Sequence, residues 1–182
     1  ADGTATRGES VVREVDKAIS RVEVEPAGAV APPGVISAIE KSDVVVLSPG
    51  SLFTSTIPAL LGDGVKEALA SFTGPVVYAA NVMTQPGETV GFALSDHLKA
   101  IADHVGPVVT DVLVHSGDLP NEPVARYEAE GAAPVEVDRE EVGKLGVRLH
   151  DAVLLAEDAE VGLRHDPDPL ARQVCEAALV RL

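Results

Sequence analysis

The chain has 182 residues, with 29 Asp and Glu against 14 Lys and Arg and a formal net charge of -15 at pH 7. That length suits one domain, 1–182, and 46% hydrophobic with 24% charged residues is the composition of a packed globule rather than of a disordered chain. The acidic excess, with no run of Lys and Arg, excludes a nucleic-acid partner and disfavours an anionic membrane surface.

Aromatic residues are 3% of the chain, and Phe53, Phe72, Phe92, Tyr78 and Tyr127 are all of them. The core is therefore built from Val, Ala, Leu and Ile, and a base-stacking platform is absent. One cysteine, Cys175, leaves no intrachain disulfide and no Cys-cluster zinc site, which fits a reducing compartment. No apolar run approaches the roughly 18 to 20 residues that cross a bilayer, so the expectation is a soluble, cytoplasmic protein. The opening Ala1-Asp2-Gly3-Thr4 has no Met and the chemistry of a turn inside a structure, so the chain reads as a fragment.

In chain order, Arg21 to Glu25 alternates like a half-exposed strand that Pro26 ends. Val35, Ile36 and Ile39 follow Pro32-Pro33-Gly34 with helical spacing, and Asp43 to Leu47 is a short apolar strand broken by Ser48-Pro49-Gly50-Ser51. After an apolar turn around Ile57 to Leu61, Val65, Ala68, Leu69 and Phe72 mark one face of a helix. Pro75 to Ala80 is a buried strand stopping at Asn81. The next helix carries Leu94, Leu98, Ile101, Ala102 and Val105 on one stripe, with Ser95 or Asp96 to cap it. Val108 to Val114 is a strand, and Ser116 to Pro134, rich in Gly, Pro and acids, reads as a long surface loop. Val135 to Val137 and Val147 to Leu155 read as strands around a helical turn. Asp168-Pro169 starts a last helix, with Pro at its first position and Leu170, Val174, Ala178 and Leu182 on its face.

Apolar strands alternating with amphipathic helices predict an α/β fold with a mostly parallel sheet and helices on both faces. In such folds the carboxyl ends of the strands carry the ligand, which singles out the loops at Ser48 to Ser55 and Asn81 to Thr89. The first, with Gly50, Ser51, Thr54 and Ser55, offers bare backbone and hydroxyls to an anion, or is simply a turn with a helix cap; it matches neither the dinucleotide fingerprint nor the P-loop. The second, with Asn81, Thr84, Gln85 and Glu88, could read a uracil or sugar through its amides, or satisfy itself as a turn. Of the five histidines, His97 and His104 share one helix without the spacing of a zinc pair and read as solvated or helix-capping side chains, while His165 sits between Arg164 and Asp166.

These segments, in this order, resemble the YvcK family of nucleotide-sugar-binding proteins, also called gluconeogenesis factors, within the CofD-like (2-phospho-L-lactate transferase-like) superfamily. The marks are Asp2-Gly3-Thr4 with Gly8-Glu9-Ser10, Ser48-Pro49-Gly50-Ser51-Leu52-Phe53-Thr54-Ser55, Asn81-Val82-Met83-Thr84-Gln85-Pro86-Gly87-Glu88-Thr89, Ser95-Asp96-His97, Arg126-Tyr127 before Pro134-Val135, and Leu163-Arg164-His165-Asp166. Ser48 stands where the family usually has Gly, and Phe53 where it usually has Tyr. The Gly-rich strand-turn-helix with which members begin is missing, so the chain is expected to be the C-terminal part of a Rossmann-like three-layer fold.

The resemblance implies a non-catalytic protein that binds a UDP-sugar, UDP-N-acetylglucosamine in particular, and supports cell shape and growth on gluconeogenic carbon, with no required cofactor and no nucleic-acid or membrane partner. It assigns nucleotide-sugar contact to Tyr127 and Arg164. A phenol can stack on uracil, and a guanidinium grips phosphate in bidentate fashion. Those two residues would clamp a ligand resting on Gly50, Ser51, Thr54, Ser55, Asn81, Thr84 and Gln85. Alternatives are a metal-assisted transferase that moves a phospholactate-type group to a deazaflavin with Mg²⁺, its carboxylates lying upstream, and a surface for homo-oligomer assembly.

Overall fold

The structure, a computed structural model, describes residues 3–8, 11, 18–156 and 162–179. Asp2, Glu9, Ser10 and Leu182, which the sequence analysis singles out, lie outside the described residues. Strands β1 (Val45–Leu47), β2 (Val76–Ala79), β3 (Asp111–His115) and β4 (Arg148–Ala152) lie side by side in chain order, and every neighbouring pair is parallel. The helices between and beyond them are α1 (Pro33–Lys41), a π-helical turn (Leu52–Thr56) running into α2 (Ile57–Leu60), α3 (Val65–Ser71), α4 (Leu94–Val105), α5 (Asn121–Ala129), α6 (Arg139–Lys144) and α7 (Pro167–Leu179).

Alternation along the central strands divides the core in two. Val76, Tyr78, Val112 and Val114 face a cluster completed by Leu69 of α3, Leu94, Leu98, Ile101 and Val105 of α4, and Val142 of α6. Val77 and Leu113 point the other way and meet Leu154 with Val174 and Ala177 of α7. Both faces of β2 and β3 are therefore covered, which is why those strands read as unbroken apolar runs. The expected α/β three-layer arrangement stands, with the mostly parallel sheet entirely parallel among the described strands. No helix among the described residues is long and apolar enough to cross a membrane.

Several expectations fail for local reasons. Residues 21–25 do alternate in exposure but pair with no strand among the described residues, so their period of two has no ladder there. Residues 135–137 contribute only an isolated bridge, Ala93 to Glu136. The stretch from Ser116 to Pro134 is not one loop: α5 occupies its middle and carries Tyr127. The last helix begins at Pro167, where the Asp166 carboxylate accepts the Asp168 N–H at 3.0 Å, and its buried face uses Ala177 where Ala178 was expected. At the start of α4 the expectation of a cap at Ser95 or Asp96 holds for Asp96, whose Oδ2 accepts the Ala93 N–H at 3.1 Å, while Ser95 donates its N–H to Asp138.

His97 and His104 are neither solvated nor capping groups. His104 donates Nδ1–H to the Ala100 carbonyl (2.6 Å) and accepts the Val22 N–H at Nε2 (3.0 Å), tying residues 18–25 to α4 in a single tautomer. His97 is fully enclosed, shares a 3.2 Å hydrogen bond with the Tyr78 hydroxyl and lies against Phe92. Burial raises the Tyr78 phenol above its ordinary range.

At the amino end of the sheet, the enclosed Asp111 carboxylate accepts from Arg148 (2.9 and 3.1 Å), His150 (2.7 Å) and Thr110 (2.7 Å) across the β3–β4 register. Burial pushes its carboxyl up, but these partners outweigh burial and hold it below the usual range.

Burial pushes His97 down to about 4, against a smaller pull upward from Asp96. A lowered folded value means that the unfolded chain binds more protons between about pH 6.5 and 4. Stability must therefore fall as pH drops through that window. Denaturant unfolding from pH 7 to 4 should show this loss, and the double variant His97→Phe/Tyr78→Phe, which removes both ends of the hydrogen bond, should flatten it by on the order of 3 kcal/mol.

Candidate functional site

Because all four strands run the same way, their carboxyl ends form one rim, on which the connections that follow them converge. The first follows β1. Asn81, just beyond β2, donates its Nδ2–H to the Gly50 carbonyl at 2.8 Å and ties this loop to the next. A Cβ at Gly50 would meet only ordinary contacts, Ser55 Cβ at 3.6 Å being the nearest, so packing within the chain does not demand glycine there. The hydroxyl of Thr54 donates to Glu88 Oε1 (2.6 Å) and the Phe53 N–H to Glu88 Oε2 (2.9 Å), so a buried carboxylate from the second loop anchors the π-helical turn. Such a turn leaves amides outside the ordinary helical pattern, and Glu88 supplies an acceptor for one of them.

The second loop is held by its own Thr residues. Gln85 N–H donates to Thr89 Oγ1 (2.8 Å) while Thr89 N–H returns to the Gln85 carbonyl (2.9 Å). Thr84 is bonded to Ala133 in both directions, N–H to carbonyl at 2.7 Å and Oγ1 from N–H at 2.8 Å. With Val135 N–H on the Val82 carbonyl, this pairing draws the segment after α5 onto the rim and brings Tyr127 with it.

The third connection lies beyond β4. Ala156 N–H reaches the Arg164 carbonyl (3.0 Å) and Asp166 N–H the Leu154 carbonyl (2.7 Å), an antiparallel pairing that carries Arg164 and His165 to the same rim. Gly162, at φ +81°, passes the Tyr127 hydroxyl, to which an added Cβ would come within 3.7 Å.

Together these segments enclose a cleft of about 580 Å³ whose walls include Gly50, Asn81, Thr84, Gln85, Tyr127 and Arg164. That volume lies in the range of small-ligand sites, roughly 300 to 1,000 Å³. Ser51, Thr54 and Ser55, expected on its floor, are not among the lining residues; Thr54 is turned to Glu88 and Ser55 is exposed. Phe53 is buried in an edge-to-face cluster with Phe92 and His104, so the hydroxyl it lacks relative to Tyr would not have faced the cleft.

Met83, from the loop expected there, lines the cleft, and so do Glu130, Leu163, His165 and Leu170, which the sequence does not mark as site residues. For His165 the signal was its position next to Arg164; for Leu170 helical periodicity pointed only to the core. Burial lowers the His165 ring, with neighbouring His115 adding to the effect and the Ala80 carbonyl opposing it. Glu130 is the one acidic side chain among the described lining residues, and no group of three or more His, Cys, Asp or Glu among the described residues could hold a metal ion.

A rim cleft where strands pass into loops, with one guanidinium, one phenol and two side-chain amides, is the candidate ligand site of this α/β domain. The model of the family described as 2-phospho-L-lactate transferase CofD matches residues 1–155, and the chain belongs to that family. Among its relatives, the gluconeogenesis factor of Halalkalibacterium halodurans is 41% identical over 176 residues, 96% of this chain and 54% of that protein. The gluconeogenesis factor of Bacillus subtilis is 37% identical over 171 residues, with 93% and 54% covered. A crystal structure of a UPF0052-family protein from Bacillus halodurans superposes with a TM-score of 0.92 at 40% identity, covering 96% of this chain and 56% of that one. The chain thus spans about half the length of these relatives.

If Glu88 anchors the first loop, Glu88→Ala leaves the buried Phe53 N–H without that acceptor. We expect a loss of about 1–3 kcal/mol in denaturant unfolding, together with faster amide exchange at Phe53, and a milder effect for Glu88→Gln.

Proposed function

We propose that the chain forms the UDP-sugar-binding part of a non-catalytic regulatory protein, with UDP-N-acetylglucosamine as its ligand and roles in growth on gluconeogenic carbon and in cell shape. The observation that carries this is the convergence of Asn81, Tyr127 and Arg164, from three separate connections, on one cleft. Arg164 is exposed at its mouth and, among the described residues, has no ion-pair partner, which suits a guanidinium that receives a diphosphate. A placed guanidinium can grip a diphosphate inside a protein that is acidic as a whole. The name gluconeogenesis factor, borne by the relatives, supports the role in growth on gluconeogenic carbon.

The family's description, a 2-phospho-L-lactate transferase, supports a second reading, a phospholactate-type transferase; the resemblance adds a deazaflavin acceptor and Mg²⁺. The described residues do not fit a resident divalent cation: Glu88 is committed to the Phe53 amide and the Thr54 hydroxyl, and Thr84 to Ala133. Product formation from a deazaflavin and an activated phospholactate in the presence of Mg²⁺ would favour the transferase.

Calorimetric titration of the full-length protein with UDP-N-acetylglucosamine tests the first proposal. Arg164→Ala should weaken binding by about 10- to 100-fold, the worth of a charge-assisted hydrogen bond, and Tyr127→Ala by about tenfold. No heat at millimolar ligand, or unchanged affinity in both variants, would refute it.

A further inference from the structure

Asn81 lines a second, smaller cavity of about 160 Å³, which shares Asn81 and Val82 with the cleft and is otherwise walled largely by the apolar side chains of Leu94, Val114, Leu119, Val135 and Val137. Two buried polar atoms belong to side chains on its wall, and neither has a hydrogen-bond partner among the described residues: Asn81 Oδ1 and His115 Nε2. Their chemical characters are fixed by what the rest of each side chain does. Asn81 must present its NH₂ to the Gly50 carbonyl, which can only accept, so the other terminus is an acceptor. His115 Nδ1 accepts the Leu154 N–H at 3.0 Å, so the neutral ring carries its proton on Nε2, which is a donor. Burial lowers this ring and favours the neutral form; the Asp118 and Gly117 carbonyls pull the other way, but neither reaches Nε2 with hydrogen-bonding geometry. Gly117 closes over the ring, where a Cβ would come within 2.9 Å of Nε2.

One donor and one acceptor in an apolar chamber match an uncharged group that carries an N–H beside a C=O. A carboxylate or phosphate would find no cation among the described walls. A buried polar atom left without a partner costs roughly 1–3 kcal/mol, so a group that satisfies both gains accordingly. We propose that this cavity is an amide-reading subsite of the cleft, in which His115 Nε2–H donates to a ligand carbonyl and Asn81 Oδ1 accepts the adjoining N–H. Resting on the nucleotide-sugar assignment of the cleft, it leaves two sources of such an edge on one ligand, the imide of uracil and the acetamido group of the sugar.

Two ligand pairs separate the sources when titrated into the full-length protein. UDP-N-acetylglucosamine against UDP-glucose changes only the acetamido group, and UDP against CDP replaces the imide N–H by an acceptor. We expect the wild type to discriminate within one pair by about tenfold or more, and His115→Phe to bring that ratio near one while leaving the other pair unchanged. Because His115→Phe also strips the Leu154 N–H of its acceptor, Val137→Leu, which narrows the cavity and keeps His115, serves as the second variant and should weaken the preferred ligand. Discrimination within neither pair, or discrimination that both variants preserve, overturns the subsite. Should no nucleotide bind at all, the assignment of the cleft falls, and uridine and N-acetylglucosamine then probe the cavity alone by saturation-transfer NMR. Transfer abolished by Val137→Leu would uphold the amide subsite, and no transfer to either would overturn it.

Discussion

The hydrogen bond from the Asn81 side chain to the Gly50 carbonyl is the joint on which the rim depends. It spans the loops that follow two adjacent parallel strands, and it also determines which end of the amide faces the two cavities. Parallel strands bring their loops to one end but do not themselves hold them at a given separation. That separation comes from this contact and from Glu88, which reaches back from the second loop to the turn after β1. Remove both and the cleft loses its floor while the sheet, packed on α4 and α7, keeps its core.

The molecule divides its polar chemistry between the two ends of the sheet. At the amino end, Asp111 is enclosed and satisfied four ways by Arg148, His150 and Thr110, a closed network that clamps β3 to β4 and offers a ligand no free valence. At the carboxyl end, by contrast, Asn81 Oδ1, His115 Nε2 and His165 Nε2 are buried without protein partners among the described residues. Satisfied networks stabilise; unsatisfied ones are tolerated where something else completes them. The asymmetry agrees with the topology of parallel sheets, which gathers candidate ligand sites at the carboxyl ends of the strands.

What the sequence made legible follows from how strongly each segment is buried. Val76 to Ala80 is covered on both faces and reads as an uninterrupted apolar run, so its strand and the loop after it could be placed from residues alone. The α5 helix could not, because Pro123 is its one buried residue and its other positions are largely charged or small. Residues 21–25 misled in the opposite sense: Val22 packs against the core and Val24 is half-buried while their neighbours face water, yet among the described residues they pair with no strand. His97 and His104 fall on the same helical stripe as Leu94, Leu98, Ile101 and Val105, a periodicity that already argued for burial. In the site, Gly50, Asn81, Thr84, Gln85, Tyr127 and Arg164 were legible through family motifs and do meet, whereas the roles of Thr54 and Glu88 in holding the loop required coordinates. His115 carried no local signal, since a histidine closing an apolar strand gains meaning only once Asn81 stands beside the same cavity.

The central claim is that ligand binds across the Asn81 joint, and the NMR signals of the Asn81 side-chain amide report on it most directly. On titration of the isotopically labelled protein with UDP-N-acetylglucosamine, the Asn81 NH₂ pair should shift saturably, together with the Gly50 backbone amide and the Arg164 guanidinium. Saturable binding that leaves all three unmoved and shifts signals around Arg148 and His150 instead would place the ligand at the wrong end of the sheet and contradict the account.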